Sequence, residues 1–167
     1  MGVITMKHAK TQYITRAAVI AALYVALTYI ASLFGLSSGV IQLRLSEALT
    51  VLPVFTSAAI PGLYIGCILA NLLTGAAPYD VLFGSLATLI GAVGTYFLRR
   101  APRAVATIPP ILANTVIVPF ILVWVYEVPD ALWFLFLTVF AGEVLSAGVL
   151  GVLLYSLVNK NKKAFGL

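Results

Sequence analysis

The chain has 167 residues, of which 62% are hydrophobic and only 9% are charged. About a quarter of the residues of an ordinary soluble domain are charged, so this composition predicts an all-α integral membrane protein and argues against a soluble enzyme. The net charge of +5 does not indicate nucleic-acid binding, because the Lys and Arg residues cluster where membrane topology favours them.

The basic residues predict how the chain crosses the membrane. Cytoplasmic loops of membrane proteins are enriched in Lys and Arg, and one crossing takes about 20 residues. The apolar stretches 17–98 and 104–159 then hold about four and two crossings. We therefore expect one six-helix domain over residues 1–167 in the plasma membrane, with both termini cytoplasmic, although four or eight crossings would also keep the termini on one side. Nine of the ten basic residues form the three clusters: Lys7, Lys10 and Arg16; Arg99, Arg100 and Arg103; Lys160, Lys162 and Lys163.

The first three predicted helices cover residues 13–34, 45–60 and 62–76. A loop rich in Gly and Ser, residues 35–42, separates the first two. Pro61 marks the start of the third, since proline fits the first turn of a helix. The second and third helices are short, and short spans often surround a binding site.

The last three predicted helices cover residues 81–98, 104–126 and 131–158. Three prolines, Pro109, Pro110 and Pro119, interrupt the hydrogen bonding of the fifth helix. The sixth is long enough to tilt or to project past the bilayer.

The acidic residues are the first candidates for a function. Glu143 lies in the middle of the sixth helix, where an isolated charge is costly, so it should face the bundle interior. It either binds a substrate or, when protonated, donates a hydrogen bond to another helix. Glu127 and Asp130 flank Pro129 in a loop and are expected to be solvated.

Arg44, Glu47 and Asp80 are expected near the outer mouth of the bundle. Arg44 and Glu47 are spaced so that they can pair with each other, or Glu47 can face a cavity while Arg44 contacts a ligand. Asp80 can cap the fourth helix, bind a ligand, or do both.

Asn71 and Asn114 are the other deep polar side chains. An amide has donors and acceptors suited to the edge of a heterocycle, but it can equally join two membrane helices.

Small residues on the first helix suggest a surface where another helix can approach closely. They form two frames at four-residue spacing, Ala17 with Ala21, and Ala18 with Ala22 and Ala26. Either packing inside the bundle or docking of a partner explains such a pattern.

Several chemistries find no support in the sequence. His8 is the single histidine and Cys67 the single cysteine, so a His-ligated metal site, haem ligation and a disulfide are not expected. No nucleotide-binding signature appears. We therefore expect no metal and no cofactor. We also expect no enzymatic activity, because two catalytic carboxylates would have to lie closer to each other than these acids, which sit at separate depths.

Three stretches resemble the QueT family of energy-coupling-factor (ECF) transporters: RLSEALTVLP at residues 44–53, GCILANLL at 66–73 and DVLFGSLATLIGA at 80–92. The resemblance implies the substrate-binding (S) component of an ATP-driven importer. It implies as partners a membrane scaffold subunit, which the helix-one alanines would meet, and two ATPase subunits. It also implies that the substrate is a 7-deazaguanine precursor of queuosine.

The polar residues are compatible with such a substrate. A carboxylate of Glu47 or Glu143 can accept two N–H donors of a guanine-like edge, and Asn71 or Asn114 can contact its carbonyl group. The loop 35–42 is expected to close the cavity. The alternatives are an S component for another vitamin and a six-helix membrane scaffold protein that transports nothing.

Overall fold

The computed structural model describes residues 2–36 and 43–162, with side chains from residue 10 onward. Within these ranges the regular secondary structure is entirely helical. Residues 37–42 of the predicted closing loop and Lys163 lie outside the described residues, as do the side chains of Lys7 and His8.

Seven α-helices, one 3₁₀ helix and one π-helical segment follow one another along the described chain. They are α1 (Gly2–Leu33), the 3₁₀ helix (Leu45–Val54), α2 (Ala59–Leu73), α3 (Pro78–Phe97), α4 (Arg103–Ala106), α5 (Ile108–Trp124), α6 (Leu132–Glu143), the π segment (Val144–Leu150) and α7 (Gly151–Lys160).

The chain is a multi-pass membrane protein. In the described part, four helical stretches are long and apolar enough to cross a bilayer, and two shorter apolar helices accompany them. The long stretches are Lys10–Leu33, Pro78–Phe97, Arg103–Trp124 and Leu132–Lys160, and the short helices are Leu45–Val54 and Ala59–Leu73.

The second predicted helix is a ten-residue 3₁₀ helix rather than an α-helix. Pro53 lies inside it and has no N–H to donate to the carbonyl one α-helical turn earlier. The Thr50 hydroxyl donates to the Glu47 carbonyl at 2.6 Å, which also competes with α-helical hydrogen bonding. Long 3₁₀ runs are uncommon, and such stretches often mark functional or strained sequences.

Helices α1 and α2 run parallel to each other at close distance. Gly62 of α2 faces Ala17 of α1, and one turn later Gly66 faces Ala21 and Tyr24. The 3₁₀ helix, which lies between α1 and α2 in the sequence, runs in the opposite direction. The chain therefore reverses twice before α2 begins.

Helices α3 and α5 are antiparallel and meet where glycine faces proline. A Cβ atom on Gly91 would lie 2.7 Å from the Pro110 Cα atom. Since Pro110 has no N–H, it cannot donate to the Ala106 carbonyl, which instead accepts from the Thr95 hydroxyl at 3.0 Å. Pro110 and its neighbour Pro109 explain why the predicted helix 104–126 is divided into α4 and α5.

The end of the bundle that holds Arg103 is opposite the end where α1, α2 and α5 finish. Arg103 donates from Nη1 to the Ser156 hydroxyl at 3.0 Å and thereby joins α4 to α7. We call this the basic end of the bundle, and the opposite one the cavity end.

The contact of α1 with α2 gives a direct test of the packing. In Gly66→Ala the new Cβ would lie 2.8 Å from Tyr24 Cβ and 3.0 Å from Ala21 Cα, so α1 must move. Overpacking of this kind costs about 1–3 kcal/mol, and we expect a lower thermal unfolding temperature in detergent. Gly148→Ala is the control, because its Cβ would meet nothing closer than Ile111 Cδ1 at 3.5 Å. Equal unfolding temperatures for the two variants would contradict the described packing.

Candidate functional site

A cavity of about 480 Å³ lies at the cavity end of the bundle. It is formed by the last turns of α1, α2 and α5, the first turn of α3 and the start of the 3₁₀ helix. Its volume is within the range of small-molecule binding sites. Its polar lining includes Tyr24, Thr28, Arg44, Asn71, Asp80 and Tyr126.

Asp80 is held in a fixed orientation in this cavity. It is buried, and its Oδ2 atom accepts a hydrogen bond from the Tyr126 hydroxyl at 2.9 Å. The Tyr126 oxygen in turn accepts from the Ala77 N–H at 3.2 Å. Its other carboxylate atom, Oδ1, is buried and has no hydrogen-bond partner.

The interpretation of Asp80 as a helix cap is wrong. Helix α3 begins at Pro78, earlier than predicted, because proline suits the first position of a helix. The N-cap residue is therefore Ala77, and Asp80 lies within the first turn with its side chain directed to Tyr126. Its negative charge is still favourable there, near the positive end of the helix dipole.

Arg44 lines the same cavity from extended backbone just before the 3₁₀ helix. Burial disfavours its charged form, but the nearby Asp80 carboxylate has the opposite effect and the pKa of the guanidinium is raised. Arg44 therefore brings a permanent positive charge to the cavity.

Asn71 joins α2 to the start of α3. Its side-chain amide is buried and donates a long hydrogen bond of 3.5 Å to the Asp80 carbonyl, with the Cys67 sulfur at 3.7 Å. It lines the cavity and also connects two helices, so the helix-joining interpretation is confirmed, while contact with a ligand stays a prediction.

Glu47 lies deeper than the cavity, in a fully buried polar cluster. Its Oε1 atom accepts from the Tyr24 hydroxyl at 2.5 Å, and its Oε2 atom accepts from the Asn114 amide at 3.3 Å. The carboxylate is thus hydrogen-bonded to α1 and α5, and Arg44 acts on it through its charge. Tyr24 connects the two regions, since it lines the cavity and also contacts Glu47.

Glu143 faces the bundle interior, as predicted, and is 4% exposed. It is the last residue of α6, directly before the π segment. Such π-helical turns occur frequently at functional sites. Three buried polar atoms of this region have no hydrogen-bond partner: Glu143 Oε2, Asn114 Oδ1 and Ser146 Oγ.

The six candidate residues fall into two groups. Arg44, Asn71 and Asp80 line the cavity, whereas Glu47 and Asn114 form the deeper cluster with Glu143, which interacts with both. Sequence reasoning missed Tyr126, although its position at the end of a predicted helix on the same side as Asp80 is a usable signal. It also missed the Thr28 and Ser46 hydroxyls, which lie 2.8 Å apart at the cavity wall.

The structure distinguishes the two alanine frames on α1. Ala17 and Ala21 face Gly62 and Gly66 of α2, so this frame packs inside the bundle. Ala18, Ala22 and Ala26 are exposed.

The described residues contain no group of three His, Cys, Asp or Glu side chains that could hold a metal ion. The exposed Glu127 and Asp130 lie apart from the cavity, in agreement with their predicted solvation.

Comparison with known proteins gives one family and one curated relative. The model of the family described as "QueT transporter" matches residues 14–160. The relative is "Queuosine precursor transporter QueT" of Lactococcus lactis subsp. cremoris (strain MG1363), which is 41% identical over 85 residues. This match covers 51% of the present chain and half the length of the relative. No solved structure matches the chain.

Proposed function

Because this chain belongs to the QueT transporter family, we propose that it is the substrate-binding membrane subunit of an importer for a 7-deazaguanine precursor of queuosine. The name of the curated relative supports the substrate. The observation on which the proposal chiefly rests is the cavity of about 480 Å³ with Arg44, Asn71 and Asp80 in its wall.

The proposed ligand is a flat bicyclic ring with hydrogen-bond donors and acceptors on one edge. Arg44 can donate to its carbonyl group, and the Asn71 amide together with the Thr28 and Ser46 hydroxyls can pair with its N–H and ring nitrogen atoms. The ring of Tyr24 supplies an aromatic surface on the same wall. In this arrangement Glu47 supports Tyr24 through its hydrogen bond, Asn114 supports Glu47, and Glu143 lies beside these two residues.

The chain is proposed to work as an S component of an ECF transporter. Six segments alternate in direction through the bundle, in keeping with six crossings. The orientation rule then puts the basic end, and both termini, in the cytoplasm and opens the cavity to the outside. A membrane scaffold subunit and two ATPase subunits would supply the energy, and the exposed frame of Ala18, Ala22 and Ala26 is the proposed docking surface.

A binding experiment tests the substrate. We expect detergent-purified protein to bind 7-aminomethyl- or 7-cyano-7-deazaguanine with submicromolar affinity in isothermal titration calorimetry. Guanine, riboflavin and biotin serve as the competing compounds. Tight binding of riboflavin or biotin in place of the deazaguanines would refute the proposed substrate.

A further inference from the structure

One oxygen of the Asp80 carboxylate is buried without a hydrogen-bond partner. Asp80 is 7% exposed, and while Oδ2 is bonded to Tyr126, the buried Oδ1 atom has no donor within hydrogen-bond distance. A buried charged acceptor without a hydrogen-bond partner costs several times more free energy than the same acceptor in contact with water. A native structure retains such an atom where something else completes its hydrogen bonding.

The surroundings hold this oxygen in place. Tyr126 is itself fixed by the Ala77 N–H, so the carboxylate cannot easily exchange its two oxygens. Gly84, one turn later on α3, leaves the room that Oδ1 occupies, because a Cβ atom at Gly84 would lie 2.8 Å from it. The free acceptor is therefore positioned by the Tyr126 hydroxyl and by the space that Gly84 leaves beside it.

The chemistry of the free acceptor selects a donor. A carboxylate accepts hydrogen bonds only, and a cationic donor forms the strongest ones with it. Thr74 lines the same cavity and donates its hydroxyl proton to the Ala70 carbonyl, which leaves the Thr74 oxygen as a second acceptor at the cavity wall. A primary ammonium group has three donors and suits two acceptors that lie at the same wall.

Resting on the proposed function, we propose that the ligand of this cavity carries a protonated primary amine and that Asp80 Oδ1 accepts a hydrogen bond from it. Among 7-deazaguanine precursors, the site then selects the aminomethyl compound over the nitrile. Asp80 then determines specificity among these precursors, beside the charge that Arg44 brings to the same cavity.

The two compounds and one substitution test the inference. In calorimetry with detergent-purified protein, we expect the wild type to bind 7-aminomethyl-7-deazaguanine at least about tenfold tighter than the 7-cyano compound, as for a hydrogen bond between charged groups. Asp80→Asn keeps the side-chain shape and should remove this preference by weakening the aminomethyl compound about tenfold, with the affinity for the cyano compound within about threefold. Asp130→Asn, which removes a charge from an exposed position outside the cavity, is the matched control and should change neither affinity.

Gly84→Ala provides a second variant if Asp80→Asn does not fold. Its Cβ displaces Oδ1 while the negative charge stays, so the same selective loss of aminomethyl affinity is expected. Equal wild-type affinities for the two compounds, or an equal loss of both in Asp80→Asn, would overturn the inference while the proposed function holds. Binding of neither compound by folded wild-type protein would instead refute the proposed function.

Discussion

Replacement of Glu47 by alanine is expected to remove measurable precursor binding and to lower the free energy of unfolding by several kcal/mol. The Tyr24 hydroxyl and the Asn114 amide both donate to this carboxylate, and both are buried. A buried donor left without an acceptor costs about 1–3 kcal/mol, and here two donors lose theirs at once. Binding is lost as well, because Tyr24 is no longer held in the cavity wall.

Thermal unfolding in detergent and calorimetric binding measure the two effects. Glu47→Gln should be much milder, since its amide oxygen can still accept from Tyr24 and the Asn114 amide can turn to accept from its N–H group. Glu127→Ala is the matched control, because this acid is exposed and belongs to neither group of candidate residues. If Glu47→Ala had the same unfolding temperature and the same precursor affinity as Glu127→Ala, this result would contradict the supporting role assigned to the cluster.

Tryptophan at Ala18 and Ala22 together is expected to abolish assembly with the scaffold and ATPase subunits and to leave precursor binding unchanged. Both alanines are exposed and lie in the frame that faces away from α2. A surface of small side chains lets a partner helix approach closely, and two indole rings would prevent that approach. Co-purification of the ATPase subunits from a strain that expresses all components measures assembly.

Two controls separate docking from internal packing. Leu153→Trp enlarges a side chain that is also exposed, on α7, and should allow assembly. Ala17→Trp enlarges the buried frame, where Gly62 approaches, and should lower stability. Unchanged co-purification with both Ala18 and Ala22 replaced would exclude this frame as the docking surface.

Much of the fold follows from the chemistry of single residues. The apolar composition predicted an all-helical multi-pass membrane protein, and this is confirmed. Glu143 was predicted to face the interior because a charge in a membrane span has to avoid lipid, and this is also confirmed. The membrane orientation and the number of crossings stay predictions.

The site depends on contacts that sequence spacing does not reveal. The pairs Tyr24–Glu47 and Asp80–Tyr126 are separated by 23 and 46 residues, and each forms only because two distant segments pack together. The 3₁₀ conformation determines the direction of Glu47, and Pro53 was an insufficient signal for it. Likewise, two alanine frames with the same spacing differ only in which one meets the glycines of α2.

The two short elements beside the cavity are shorter than the hydrocarbon layer of a bilayer is thick. Helix α2, with 15 residues, rises about 22 Å, and the ten-residue 3₁₀ helix rises about 20 Å. The hydrocarbon core of a bilayer is about 30 Å thick, so both elements fall short by roughly 8–10 Å. Helix α2 ends and the 3₁₀ helix begins at the cavity. In the proposed orientation, a cavity that lies within this shortfall would leave a bound polar molecule about two thirds of the hydrocarbon layer to cross before the basic end.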